Sequence, residues 1–260
     1  VWVTQNLKTS LLWIFTDLLV SLASVTGIAL LATRFSGIGP WTRAQVMFLL
    51  GYVTAVGGLQ DMLFNFNVAF ISRRLGRGQL DHQLIQPMPL SVSFMTEGFA
   101  PFSTACTSVV AVGILIWAGR MLHLTVTPVW LMIFAINLSA SLLILMAFQY
   151  VWGSLAFWAP RGAEEISSST FELITQLKQF PLDSVGPVLL GAFSTFVPVA
   201  FIGWYPCRFL VGIDRRPFAA WITPGAAVVL AALAYCVFKA GLRHYGKVGS
   251  QRYSGFGFRS

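Results

Sequence analysis

The chain has 260 residues, 56% of them hydrophobic and only 10% charged, with a formal net charge of +8 and a mean hydropathy of +0.73. A soluble domain carries about 25% charged residues, and one this apolar would expose greasy patches that soluble proteins rarely tolerate. Composition therefore excludes a soluble enzyme or binding module. The positive charges lie between and after apolar runs, where they read as topology determinants facing anionic lipid rather than as a nucleic-acid surface.

A membrane span needs about 20 residues, because about 30 Å of hydrocarbon is crossed at about 1.5 Å per residue. Six spans plus connectors use most of the length, so the expectation is an all-α polytopic membrane protein with a single membrane domain over residues 1–260. Residues 1–10 form a short interfacial lead-in that opens on Val1 rather than Met, so a signal peptide is not judged from it. The first span is expected over 11–33. Residues 34–42 make a turn, broken by Gly37, Gly39 and Pro40, with Trp41 at headgroup level. The second span is expected over 43–70, and its later part, with Gln60, Asp61, Asn65 and Asn67, leaves the bilayer before the helix ends.

The stretch 71–90, ISRRLGRGQLDHQLIQPMPL, holds the densest basic cluster between apolar runs, Arg73, Arg74 and Arg77, which places it in the cytoplasm. The third span follows over 94–119, with Glu97 at its entrance, and the fourth over 128–158, ended by Pro160. The next region has two readings. Hydropathy alone selects 188–205 as the fifth span, leaving 163–180 as a polar cytoplasmic helix. The alternative makes 163–180 a polar, pore-lining span and turns 181–218 into an outer segment that dips back into the membrane, broken by Pro181, Pro187, Pro198 and Pro206. Charge does not choose, since Arg208, Arg215 and Arg216 fall outside in both. The last span is expected over 219–241, and Arg243, Lys247, Arg252 and Arg259 favour a cytoplasmic tail. With both ends inside, the number of crossings is even, consistent with six.

Within 71–90 the pattern is Gly78-x-Leu80-Asp81-x-x-Leu84-x-x-Pro87-x-Pro89. Gly78 loosens the preceding helix, Asp81 is a suitable N-cap and Pro87 forbids continuation, which gives a helix of one or two turns. Leu80 and Leu84 share a face at i,i+4 spacing, as an element that plugs into a partner would require; the bland reading is an ordinary connector. This pattern resembles the first cytoplasmic loop of the ABC-2-type transporter permease family. Three further landmarks resemble the family in the same order: SLAFWAPRGAEE at 154–165, QFPLDSVGP at 179–187 and TFVPVAFIGWYP at 195–206. The resemblance implies six spans, a cytoplasmic coupling helix between spans 2 and 3, and a re-entrant outer segment before span 6. It favours 163–180 as the fifth span. It further implies docking on separate ABC ATPase subunits, pairing with a second, often non-identical permease chain, and a bacterial-type inner (cytoplasmic) membrane with both termini cytoplasmic. On this basis the ATPase-coupling residues are Arg73, Arg74, Arg77, Gly78, Leu80, Asp81, His82, Leu84 and Pro87.

Ionisable residues in apolar spans are functional candidates. Asp61, Glu97, Glu172 and Gln176 are candidate pathway residues, although Asp61 and Glu97 also read as solvated groups at the cytoplasmic interface. Cys106, Cys207 and Cys236 show no CxxC, so neither a metal site nor a disulfide framework is indicated. A phosphate-binding loop is nearly present as Gly241-x4-Gly246-Lys247. Val248 stands where a Ser or Thr should hold magnesium, and no strand precedes it. No HExxH or GxSxG pattern occurs, so no catalytic residue and no cofactor is assigned to this chain. ATP and magnesium belong to the partner subunits. The aromatic, apolar interior suggests hydrophobic, amphipathic or drug-like cargo for export. The alternative is a stand-alone channel or ion-coupled transporter that uses the intramembrane acids.

Overall fold

The computed structural model describes residues 37–64, 80–90, 92, 93, 105–183 and 185–249, together with helical positions scattered between 11 and 30. Apart from one small hairpin, the described residues are mostly helical. The hairpin pairs β1 (Gly37–Ile38) with β2 (Trp41–Thr42), and Gly39, at φ +61°, supplies the left-handed step of its tip. Thr42 then caps α1 (Arg43–Leu63). Its hydroxyl accepts from the Gln45 N–H while the Gln45 side chain accepts from the Thr42 N–H, a reciprocal capping box. The helix stops at Leu63, short of the expected 43–70; residues 65–70 lie outside the described residues.

A five-residue helix, α2 (Leu80–Leu84), precedes α3 (Ala105–Met121), whose expected first half, 94–104, also lies outside the described residues. Thr127 caps α4 (Pro128–Ser154), with Pro128 in the first turn where a missing N–H costs nothing. A 3₁₀ turn, Leu155–Phe157, follows, and Pro160 starts α5 (Pro160–Leu177). Next come α6 (Pro187–Thr195), a π-helical turn (Ala200–Trp204), α7 (Tyr205–Leu210), a 3₁₀ turn (Pro217–Trp221) and α8 (Ile222–Val248). Among the described residues, three stretches are long and apolar enough to cross a membrane: Arg43–Leu63, Pro128–Phe157 and Pro217–Val248. A fourth counts if the pair Pro187–Thr195 and Ala200–Leu210 is taken as one span, but that pair is bent by 86°. A continuous helix over 188–205, as hydropathy alone would draw it, is therefore not formed.

Side-chain pairings fix the directions of the helices. A Cβ on Gly51 would lie 3.0 Å from Leu115, and one on Gly58 2.9 Å from Ser108, so α1 and α3 run antiparallel at close approach. Phe48 meets Trp130, Tyr52 meets Phe134 and Ser141, and Gln60 meets Gln149, so α1 and α4 are parallel. Asn137 donates to the Ala220 carbonyl, Tyr150 meets Phe238 and Phe157 meets Tyr245, so α4 and α8 are parallel as well.

Between α4 and α8 the chain has to return once. Residues 160–183 make that return: α5 begins just past Phe157, and Asp183 accepts from the Trp41 indole N–H at the start of α1. The bent segment then lies on α1, where Gly203 leaves so little room that a Cβ would fall 2.4 Å from Val53 Cγ1. It comes back to the hairpin end, where the Trp130 indole donates to the Leu210 carbonyl at 3.2 Å.

Two apolar cores result among the described residues. One, around Trp41, Phe48, Tyr52, Ile144 and Ile202, fills the hairpin end and the middle; the other, around Leu80, Tyr150, Phe157, Phe238 and Tyr245, fills the opposite end. The last helix runs seven residues past the expected end at 241. The near-miss phosphate loop is thereby one continuous helical segment, with Gly241 pressed so closely on Phe157 that a Cβ would sit 2.3 Å from Cδ2. A helical backbone directs its N–H groups along the axis, so this segment cannot cradle a phosphate as a loop does.

Candidate functional site

Of the residues expected to couple to an ATPase, Arg73, Arg74, Arg77 and Gly78 lie outside the described residues, as does the pathway candidate Glu97. The others sit on and just after α2. Asp81 falls in the first turn of the helix rather than ahead of it, and Pro87 follows the last turn. The two leucines divide. Leu80 is fully buried in the core at the Phe157 end, while Leu84 is exposed. They are therefore not a shared docking face: Leu80 is an anchor into this chain. Leu90 is buried in the same core, so the short helix and its exit are pinned at both ends. Between the pins, His82 is exposed, and so is the run from Leu84 to Pro89. Ile85 is 78% exposed and Met88 47%. Sequence reasoning missed these two. The signal was available: a Pro-punctuated loop holding two apolar side chains that a five-residue helix cannot bury.

α5 divides lengthwise. Ala163, Ser167 and Ile174 are buried on one face; Glu165, Glu172 and Gln176 are exposed on the other. That spacing is helical amphipathicity. The Gln176 amide donates to Glu172 at 3.4 Å along the exposed face. Asp61 belongs to a separate place, the last turn of α1, half-buried, where its carboxylate acts on the Lys178 ammonium at the end of α5. The Lys178 Nζ lies 3.2 Å from where a Gly57 Cβ would be, so the small residue leaves room for the charged tip. Glu172 and Gln176 thus come together, and Asp61 stands apart from them with a cation of its own.

One well-connected polar group among the described residues is one that sequence reasoning left without a role. Asp183, 10% exposed, accepts hydrogen bonds from the indoles of Trp41 and Trp204, the latter at 2.6 Å, and forms an ion pair with Arg208. The Arg208 guanidinium in turn lies 4.9 Å from the centre of the Trp204 ring, a favourable cation–π distance. One carboxylate thereby joins the hairpin, the π-helical turn and α7. Charge-assisted bonds of this kind are roughly twice as strong as neutral ones. The sequence signal was the acid within the PLD landmark, between proline-broken apolar pieces rich in Trp.

A family model described as ABC-2 family transporter protein matches residues 18–249, nearly the whole chain. No curated protein and no solved structure matches it. The apolar helices, their alternating directions and the family match agree, and the chain belongs to the ABC-2 transporter family, whose members are transport membrane components that associate with an ABC ATPase.

Proposed function

We propose that this chain is the membrane-spanning permease subunit of an ATP-driven exporter, with α2 and its exit as the coupling element. The observation that carries this reading is the exposed knuckle Leu84–Pro89 held between buried Leu80 and Leu90. An apolar knuckle whose two ends are buried in the bundle is what a cleft on an ATPase can grip. In this reading the knuckle faces the cytoplasm, the hairpin end faces outward, and both termini are cytoplasmic in an inner membrane. The six spans are 11–33, α1, α3 with its preceding residues, α4, α5 and α8. The bent pair 187–210 is the re-entrant outer segment.

The polar face of α5 supports the placement of a pathway. A charge at the bilayer centre costs at least about 2.5–3.5 kcal/mol, so such faces avoid lipid. Glu172 and Gln176 then face a water-filled path or a second permease chain, which is a non-identical paralogue or a second copy. ATP and magnesium act on the ATPase subunits. Closure of those subunits pushes the knuckle, and Leu80 and Leu90 pass the push to the inner ends of α4, α5 and α8. Cargo is hydrophobic, amphipathic or drug-like, and shifts the cycle only through different affinities for the inward and outward states.

The test is co-purification in mild detergent. The native chain is expected to carry an ATPase subunit, and the double variant Ile85→Asp, Met88→Asp to lose it while eluting as a folded membrane protein. Full ATP-driven transport by that double variant would overturn the proposal.

A further inference from the structure

We propose that the groove between α1, α3 and α4 at the hairpin end binds an anionic phospholipid, with the headgroup on Arg120 and His123 and an acyl chain against Phe48, Leu115, Trp130 and Phe134. The groove has a volume of about 750 Å³, within the range of about 300–1,000 Å³ usual for small-molecule sites. Its deeper wall is aromatic. Trp130 stacks on Phe134 with centroids 5.4 Å apart, Phe48 meets Trp130 edge-on, and the indole N–H of Trp130 is committed to the Leu210 carbonyl, which fixes the ring. Along α3 the lining runs from Val112 to Gly119, about two turns or roughly 10 Å, which suits the upper part of an acyl chain.

The charge sits at one end only. Arg120 and His123 line the groove where α3 stops, and both are exposed. No carboxylate among the described residues pairs with Arg120. The backbone around them is built for the position. The His123 N–H bonds to the Arg120 carbonyl and the Leu124 N–H to the Gly119 carbonyl, the paired bonds that close a helix through a left-handed residue. Glycine usually fills that place; here it is His123, at φ +49°. A non-glycine residue held in this region is strained, and such strain collects at binding sites. The capped carbonyls take the negative end of α3 out of competition, while the N-terminus of α4, the positive end of a 27-residue helix, opens beside the same mouth. An apolar trough with a cation and an imidazole at its rim, in a chain embedded in lipid, complements a negatively charged headgroup with its chain attached. The inference needs only that the helices lie in a membrane, so it stands or falls separately from the ATPase reading.

Native mass spectrometry of the detergent-purified full chain tests it, using an equimolar mixture of phosphatidylglycerol and phosphatidylcholine. The wild-type chain is expected to retain phosphatidylglycerol about fivefold better, the preference one basic residue near a headgroup confers. Arg120→Gln should remove the preference and Arg120→Lys keep it. His123→Gly, which suits the left-handed turn and removes only the imidazole, should lower retention about threefold, as loss of one hydrogen bond does. Gly119→Trp fills the groove and should abolish retention of both lipids. The thermal midpoint of each variant reports folding, and Arg120→Lys and His123→Gly keep the test valid if a bulkier change unfolds the chain. Equal retention of the two lipids by the wild type would overturn the proposal. So would unchanged phosphatidylglycerol retention in both Arg120→Gln and His123→Gly, or displacement of the lipid by millimolar inorganic phosphate, which would mean the groove reads phosphate alone.

Discussion

At the hairpin end, one carboxylate gathers two indole N–H groups and a guanidinium from three separate segments. At the opposite end, Phe157 lies edge-on to Phe238 at 5.7 Å and to Tyr245 at 6.1 Å, and the anchors Leu80 and Leu90 share that core. Hydrogen bonds are directional and weaken steeply with misalignment. Edge-to-face aromatic contacts persist over centroid separations of about 4.5–7 Å. Residues 185–217 are broken into short helical pieces with an 86° bend, and the sharper interaction fixes the later pieces to the hairpin. The end that carries the exposed knuckle is held by contacts that tolerate small displacements.

Substitutions can break this contrast. The largest effect is expected from Leu80→Asp, which puts an uncompensated charge in a fully closed core at a cost of at least about 3 kcal/mol; the yield of monodisperse protein after extraction should collapse. Ile85→Asp, five positions along, should leave that yield intact. Next is Asp183→Ala, which strips the shared acceptor from three donors. Because Arg208 keeps about a quarter of its side chain exposed, the loss is expected to be about 2–3 kcal/mol, read as a lower thermal midpoint. Asp183→Asn retains an oxygen for the indoles and should recover about half, which isolates the ionic part. Neither change should affect capture of the ATPase. If Asp183→Ala released the ATPase, the two ends would not be separable. The smallest effect is expected from Tyr52→Phe, which removes the 3.0 Å bond to Ser141; interhelical bonds inside membranes are worth about 0.6 kcal/mol on average.

The sequence made the helices legible where apolar runs meet strong breakers. Pro128, Pro160 and the Gly39–Pro40 tip stand at or next to observed boundaries. It ranked 188–205 above 163–180 by hydropathy, because hydropathy counts residues and is blind to a bend; family resemblance reversed the ranking. The amphipathic face of α5 was readable in outline, since Glu172 and Gln176 recur at helical spacing. The division between Leu80 and Leu84 was not, because five residues are too few for a periodic signal and burial depends on α4 and α8 far along the chain. Asp183 escaped for a similar reason. One of its partners, Trp41, is 142 residues away, and nothing local marks the pair.

The bonds Tyr52–Ser141 and Gln60–Gln149 have a mechanical corollary. They share the same offset along the two helices and stand eight residues apart, about 12 Å. Slide α4 by one turn in one direction and Tyr52 faces Leu145 while Gln60 faces Gly153; in the other, Gln60 faces Leu145. Neither displacement satisfies both fasteners. The two bonds therefore favour one axial setting of α1 against α4. A one-turn slip between them would leave at least one of these buried polar groups facing an apolar side chain, so axial sliding is disfavoured at this seam relative to a tilt of the two helices together.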